Sequence, residues 1–240
     1  MEINENTLIG ELVAKDYRAA EVFRAYGIDF CCSGNRSVAT AATSAGLNTA
    51  ELIDKLSSLP DKMDSAQPDF NAWPLDLLAD YIEKKHHRYV EEKTPILKEY
   101  LEKITNVHGD RHPELHGIRE RFILTAGELA MHMKKEELML FPYIRKMVKA
   151  QNEQTELRPA PFGSIQNPVN AMMADHEAEG QRFLEMEELS DHYTPPEDGC
   201  ETYRLSYVLL KEFQNDLHLH IHLENNILFP KAIELEKTLL

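Results

Sequence analysis

Apolar positions recur at steps of three and four in four long runs of this chain, at about residues 74–107, 114–149, 165–190 and 198–236. That period belongs to an amphipathic helix with one buried face. The breaks between runs hold Gly109 and Pro113, then Pro159-Ala160-Pro161-Phe162-Gly163, then Thr194-Pro195-Pro196, all residues that stop helices. Four long amphipathic helices with short connections predict an all-α four-helix bundle over residues 73–240. Nothing alternates with strand period for long enough to compete. Residues 1–58 predict a small helical domain, with Thr7, Asp16, Ser37 and Asn48 as N-caps and Gly27 and Gly46 at helix C-termini. Residues 59–72, polar and carrying Pro60 and Pro68, predict a linker.

The bundle reads as a duplicated helix pair. His132-Met-Lys-Lys-Glu136-Glu-Leu-Met-Leu140-Phe-Pro and His220-Ile-His-Leu-Glu224-Asn-Asn-Ile-Leu228-Phe-Pro share the form His-x-x-x-Glu-x-x-x-Leu-Phe-Pro. The preceding helix of each pair supplies another His at matched spacing, His87 45 residues before His132 and His176 44 before His220. A long motif repeated at matched spacing is far more specific than one short match.

Helical phase shows which way these residues face. On the last helix Leu209, Phe213 and Leu217 continue through His220 and Glu224 to Ile227 and Leu228, so His220 and Glu224 point inward. His218 and His222 share a stripe with Lys211, Gln214, Asn215, Asn225 and Asn226, a pattern expected to face solvent. The second helix turns Phe122, Leu129, His132, Glu136, Leu140 and Tyr143 inward, and the third Val169, Met172, Met173, His176 and Phe183. On the first helix periodicity selects His86, in line with Leu75, Leu78 and Ile82. One inward His is ordinary in a core. Two inward glutamates without partners are costly, and metal ions shared between them remove that cost. Imidazole with carboxylate favours Fe, Mn or Zn over Mg or Ca, and the lack of thiolate ligands argues against a structural zinc. There is no His-Glu-x-x-His, and of the Glu-x-x-His pairs of ferritin-like sites only Glu83-Lys-Lys-His86 is present.

Composition narrows the setting. The 26 basic and 41 acidic residues give a net charge of −15, which disfavours nucleic acid and anionic membranes as partners. No apolar run approaches a membrane span. The acidic N-terminus is unlike a secretory signal, and three cysteines, Cys31, Cys32 and Cys200, fit the reducing cytoplasm.

Gly27-Ile-Asp-Phe-Cys31-Cys32-Ser-Gly34, Val107-His108-Gly109, both His-x-x-x-Glu-x-x-x-Leu-Phe-Pro blocks and Pro195-Pro196 before Cys200 together resemble the iron–sulfur cluster repair di-iron proteins, the repair-of-iron-centres family with its hemerythrin-like bundle. The resemblance spans nearly the whole chain. It implies an oxo- and carboxylate-bridged di-iron centre with His87, His132, Glu136, His176, His220 and Glu224 as metal ligands and both glutamates bridging. Here His87, not His86, is the first-helix ligand, and His86 supports the site from outside. The first two helices' imidazoles are expected to serve one iron and the last two helices' the other. Oxygen-carrying hemerythrins are similar but use a fifth His one turn from that of the third helix. Here Met172 and Gly180 stand at that spacing. Cys31 and Cys32 read either as small residues in a helical turn or as a redox or iron-contacting pair, Cys200 as structural, and His108 as satisfying carbonyls at a helix end. The function implied is repair of iron–sulfur clusters damaged by nitrosative or oxidative stress, by iron donation, with damaged iron–sulfur proteins as partners and nitric oxide or oxygen species as small ligands. A nitric oxide or peroxide reductase and a gas-binding or iron-storing module stay open beside it, and a homodimer is compatible with such a bundle.

Overall fold

The computed structural model describes residues 3–59 and 68–240. Four short helices come first: α1 (Ile9–Lys15), α2 (Ala19–Ala25), α3 (Val38–Ser44) and α4 (Thr49–Ser57). Ser37 and Asn48 cap α3 and α4 as expected, Ser37 Oγ accepting from the Thr40 amide (3.2 Å) and Asn48 Oδ1 from that of Ala50 (2.8 Å). Thr7 and Asp16 fall elsewhere: Leu8 precedes α1, and Asp16 ends it and accepts from the Arg18 amide in the following turn. Gly27 and Gly46 take the left-handed conformation (φ +65° and +69°) that closes α2 and α3. Most of the expected linker, residues 60–67, lies outside the described residues. Its end does not behave as a spacer: Phe70, in a 3₁₀ turn (Phe70–Ala72), is buried and packs its ring on Trp73 and Tyr81.

Four long helices follow, three of them interrupted by a π-helical turn. Helix α5 runs through Leu75–Tyr81, a π turn at Ile82–His87, and Arg88–His108. Helix α6 comprises Glu114–Lys135, a π turn at Glu136–Leu140, and Phe141–Glu153. Helix α7 (Gln166–Leu189) is uninterrupted, and α8 comprises Glu201–Leu223, a π turn at Glu224–Leu228, and Phe229–Leu239. Among the described residues there is no strand beyond two isolated bridges, and no helix is long and apolar enough to cross a membrane. Each π turn contains or opens on a residue of the predicted metal set. Such turns add one residue to the helical count and gather at functional sites.

Two apolar clusters fill the bundle. One joins Val90, Leu97, Phe122, Leu129, Met133, Phe183, Leu217 and Ile221. The other joins Leu78, Ile82, Leu140, Phe141, Met172, Leu223 and Ile227. The predicted His and Glu residues lie between these sets on every helix, so they form a polar layer sandwiched by apolar ones. Met173, expected inside, is 39% exposed.

The first apolar cluster also contains Ile9, Leu12, Val13, Phe23, Phe30, Val38 and Leu52. The small N-terminal module therefore shares its core with the bundle, and it overturns one expectation. His222 and Asn225 are buried because the module covers the C-terminal part of the polar stripe of α8, and Gln214 is buried against α7, donating to Glu187 Oε2 (3.0 Å). Phe30 packs edge-on against His218 and His222, and Tyr17 lies against His222. Burial pushes His218 down to about 4 and His222 down to about 3, so both imidazoles are neutral at pH 7. Asn226 Nδ2 donates to the Phe30 carbonyl (3.1 Å) and to His222 Nδ1 (3.0 Å). His108 differs as well: its Nε2 faces Cys200 Sγ at 3.3 Å rather than a terminal carbonyl.

The docked surfaces approach closely at glycine. A Cβ on Gly34 would overlap the Asn226 side chain and lie 2.8 Å from the Phe30 carbonyl oxygen. Gly34→Ala is expected to cost ~1–3 kcal/mol as overpacking. At Gly127, exposed in α6 with nothing near the Cβ position, alanine is expected to stabilise by ~0.5–1 kcal/mol. Chemical denaturation of both variants measures the difference.

Candidate metal centre

The six predicted residues converge in two overlapping groups whose ligand atoms lie within 4.8 Å of one another: His87, Glu136, His220 and Glu224, and His132, Glu136, His176 and Glu224. All are buried. His87 Nε2 and His132 Nε2 each stand 3.3 Å from Glu136 Oε2. His176 Nε2 and His220 Nε2 each stand 3.2 Å from an oxygen of Glu224. The two glutamates are common to both groups. The imidazoles pair differently from the expectation, His87 with His220 and His132 with His176. Each group thus draws one imidazole from each duplicated half of the bundle.

His86 is buried but belongs to neither group. Its Nδ1 donates to Asp216 Oδ2 (3.0 Å), and its ring stacks on His220 at 5.6 Å between centroids. The π turn supplies the reason. Counting four residues from Ile82 gives His86, but the wider turn over Ile82–His87 brings the next residue to the inner position.

The donor chemistry fits metal ions. None of the four carboxylate oxygens of Glu136 and Glu224 has a hydrogen-bond partner, nor do His87 Nε2 and His220 Nε2. His132 Nε2 and His176 Nε2 approach to 3.0 Å, so two nitrogen lone pairs converge where only a proton or a cation relieves them. An unpaired buried charge costs several kcal/mol, too much to leave two carboxylates uncompensated. Burial disfavours the charged form of His132, but the nearby carboxylates, Glu136 foremost, outweigh it and raise its pKa to about 9. Burial opposes charge at His87 too, and Glu136 again raises the pKa. At His220 burial wins and the pKa falls. Burial pushes both glutamates up, and the charge of Glu224 pushes Glu136 further, yet the surrounding imidazoles hold both below the usual range, Glu224 most strongly.

A second ring of residues orients the imidazoles. His87 Nδ1 donates to Glu137 Oε1 (3.0 Å), His132 Nδ1 to Asp175 Oδ2 (3.3 Å) and His176 Nδ1 to Asn225 Oδ1 (2.9 Å). With Nδ1 carrying hydrogen, each Nε2 lone pair points into the site. The sequence reading passed over these three. Their signal is adjacency: Glu137 and Asn225 each follow an inward glutamate, and Asp175 precedes an inward histidine. The internal repeat extends to them, since Glu137 on α6 holds the α5 imidazole and Asn225 on α8 holds the α7 imidazole.

Near this layer the Cys31–Cys32 turn lies in a bend outside any helix. Cys31 is buried and Cys32 half-buried, both are free, and their sulfurs are 3.8 Å apart. Asp29 joins them in a third grouping, its Oδ1 accepting from both cysteine amides.

A cation must displace the proton that His132 holds at pH 7. Uptake of Fe(II) or Zn(II) by metal-free protein at pH 7 is expected to release protons, and apparent affinity to rise as pH rises from 6 to 9. In metal-free protein the contribution of His132 to stability is present below pH 6.5 and lost as pH passes about 9. Titration in weakly buffered solution with a pH indicator checks this. A pH-independent affinity contradicts it.

The family model described as "Hemerythrin HHE cation binding domain" matches residues 78–232, and ScdA_N, described as "Domain of Unknown function (DUF542)", matches residues 5–60. The chain is 35% identical over 228 residues to the iron-sulfur cluster repair protein YtfE of Yersinia pseudotuberculosis, covering 95% of this chain and 97% of that one. It is 35% identical over 233 residues to the protein of that name in Musicola paradisiaca (97% and 98% covered) and 34% over 228 to that of Yersinia pestis (95% and 97%). An N-terminal ScdA_N module on a metal-binding hemerythrin bundle, matched end to end, places this chain in the repair-of-iron-centres family.

Proposed function

We propose that His87, His132, Glu136, His176, His220 and Glu224 hold two iron ions, and that the chain repairs iron–sulfur clusters damaged by nitrosative or oxidative stress by delivering that iron. The observation that carries the proposal is the pair of fully buried carboxylates, each near two imidazoles and with no oxygen hydrogen-bonded. Its support in function is the name of the relatives, iron-sulfur cluster repair protein, along nearly their whole length.

In this reading His87 and His220 hold one ion and His132 and His176 the other, with Glu136 and Glu224 shared. Two imidazoles and two shared carboxylates leave each ion open positions for nitric oxide or oxygen species. Glu137, Asp175 and Asn225 keep the imidazoles aimed, and the apolar clusters above and below exclude water. The partners are damaged iron–sulfur proteins, met in the cytoplasm.

Protein loaded anaerobically with Fe(II) is expected to restore activity to a nitric-oxide-damaged iron–sulfur enzyme faster than an equal amount of iron on a weak chelator. Glu136→Leu is expected to bind neither ion and restore nothing, because the carboxylate is shared. If no iron moves while nitric oxide is consumed catalytically with added reductant, the protein is a reductase and donation is wrong.

A further inference from the structure

The duplicated halves of the bundle differ at one position in a way the metal centre alone does not require. After Glu136 comes Glu137, whose carboxylate accepts from His87 Nδ1 and from Lys134 on its own helix. After Glu224 comes Asn225, in the equivalent place. Its Oδ1 accepts from His176 Nδ1 (2.9 Å), and its Nδ2 donates to the Cys31 carbonyl (3.1 Å). A carboxylate accepts only, whereas an amide presents an acceptor and a donor together. The Asn225 amide therefore joins an imidazole N–H to a backbone carbonyl, which the Glu137 carboxylate in the other half cannot do.

The joined segment is held at other points. Cys32 Sγ donates to the His176 carbonyl (3.4 Å), and Asn226 holds the Phe30 carbonyl. Residues 30–32 are thus strapped across the π turn Glu224–Leu228 and the backbone of His176. Neither His87 nor His220 has such a link: His87 Nδ1 is held by Glu137, and His220 Nδ1 has no hydrogen-bond partner.

We infer that Asn225 couples the Cys31–Cys32 turn to His176, so that the docked turn locks the ion held by His132 and His176, and loosening of the turn frees that ion before the other. The inference rests on the two-ion reading above and deepens it: the two positions differ in lability, and the N-terminal module controls one of them. Coupling is reciprocal. An ion on His176 must therefore also steady the Cys31–Cys32 turn, which a merely structural role for Asn225 does not demand.

The test uses full-length protein loaded with Fe(II), with two readouts. One is the time course of iron removal by a strong ferrous chelator. The other is the alkylation rate of Cys32 by iodoacetamide, resolved by peptide mass spectrometry, with and without metal. Wild type is expected to release iron in two phases and to alkylate Cys32 several-fold more slowly when loaded. Asn225→Asp keeps the acceptor for His176 but loses the donor to Cys31. It is expected to speed the slower-leaving locked ion by about 10–100-fold, the range for loss of an outer-shell partner, and to erase the metal dependence of Cys32 alkylation. Glu137→Gln is expected to speed release of the other ion while leaving that dependence intact. The wild-type alkylation contrast tests the coupling without any variant. Equal acceleration of both ions by Asn225→Asp, or Cys32 alkylation indifferent to metal in wild type, overturns the inference while the two-ion reading stands. A wild type that binds no metal overturns both.

Discussion

Two carboxylates at the centre of a helical bundle, neither hydrogen-bonded nor in reach of water, set the terms for the rest of this structure. Glu136 and Glu224 are fully buried and share four imidazoles between them. Leaving such groups charged without compensation costs several kcal/mol each, a large part of the roughly 5–15 kcal/mol that stabilises a typical domain. A proton on His132, whose pKa is raised to about 9 by the carboxylates beside it, offsets part of the charge in the metal-free protein, and a cation displaces it when metal binds. The apolar clusters on either side keep the layer dry and strengthen every electrostatic contact within it. The π turns at three of the four helices widen the backbone where the clustered His and Glu residues reach inward.

Much of this was legible in sequence because helical phase is a strong constraint on which residues can meet. The four runs of apolar periodicity correspond to α5–α8 within a few residues, and the repeated motif marks the residues that converge. Phase failed in two instructive places. At Ile82–His87 the π turn adds a residue to the count, so a regular step of four points to His86 while the chain delivers His87. On α8 the polar stripe of His218, His222 and Asn225 looks solvated for a helix considered alone. It is buried because a second module lies over it, and periodicity within one helix carries no information about what covers its outer face. Polarity there is matched to partners instead: Asn226 to the Phe30 carbonyl and Asn225 to that of Cys31.

That matching makes the N-terminal module part of the centre rather than an appendage. Its core is continuous with that of the bundle, and its cysteine turn reaches the backbone and, through Asn225, the ring of His176. A repair protein that carries iron has two opposed needs, to hold the ion against loss and to give it up to a client. A bundle of four packed helices meets the first. The second falls to the small module, which is joined to the bundle by shared apolar core and by close packing at Gly10 and Gly34 and whose opening would leave the hydrogen bonds within the long helices in place.

The central claim is that both carboxylates are shared between two ions paired across the halves of the bundle. Anomalous diffraction at the iron edge from crystals of the loaded protein tests it most directly. The account predicts two peaks, one about 2 Å from His87 Nε2 and His220 Nε2 and the other about 2 Å from His132 Nε2 and His176 Nε2, with each glutamate contacting both. A single peak, or two peaks pairing His87 with His132, would contradict it.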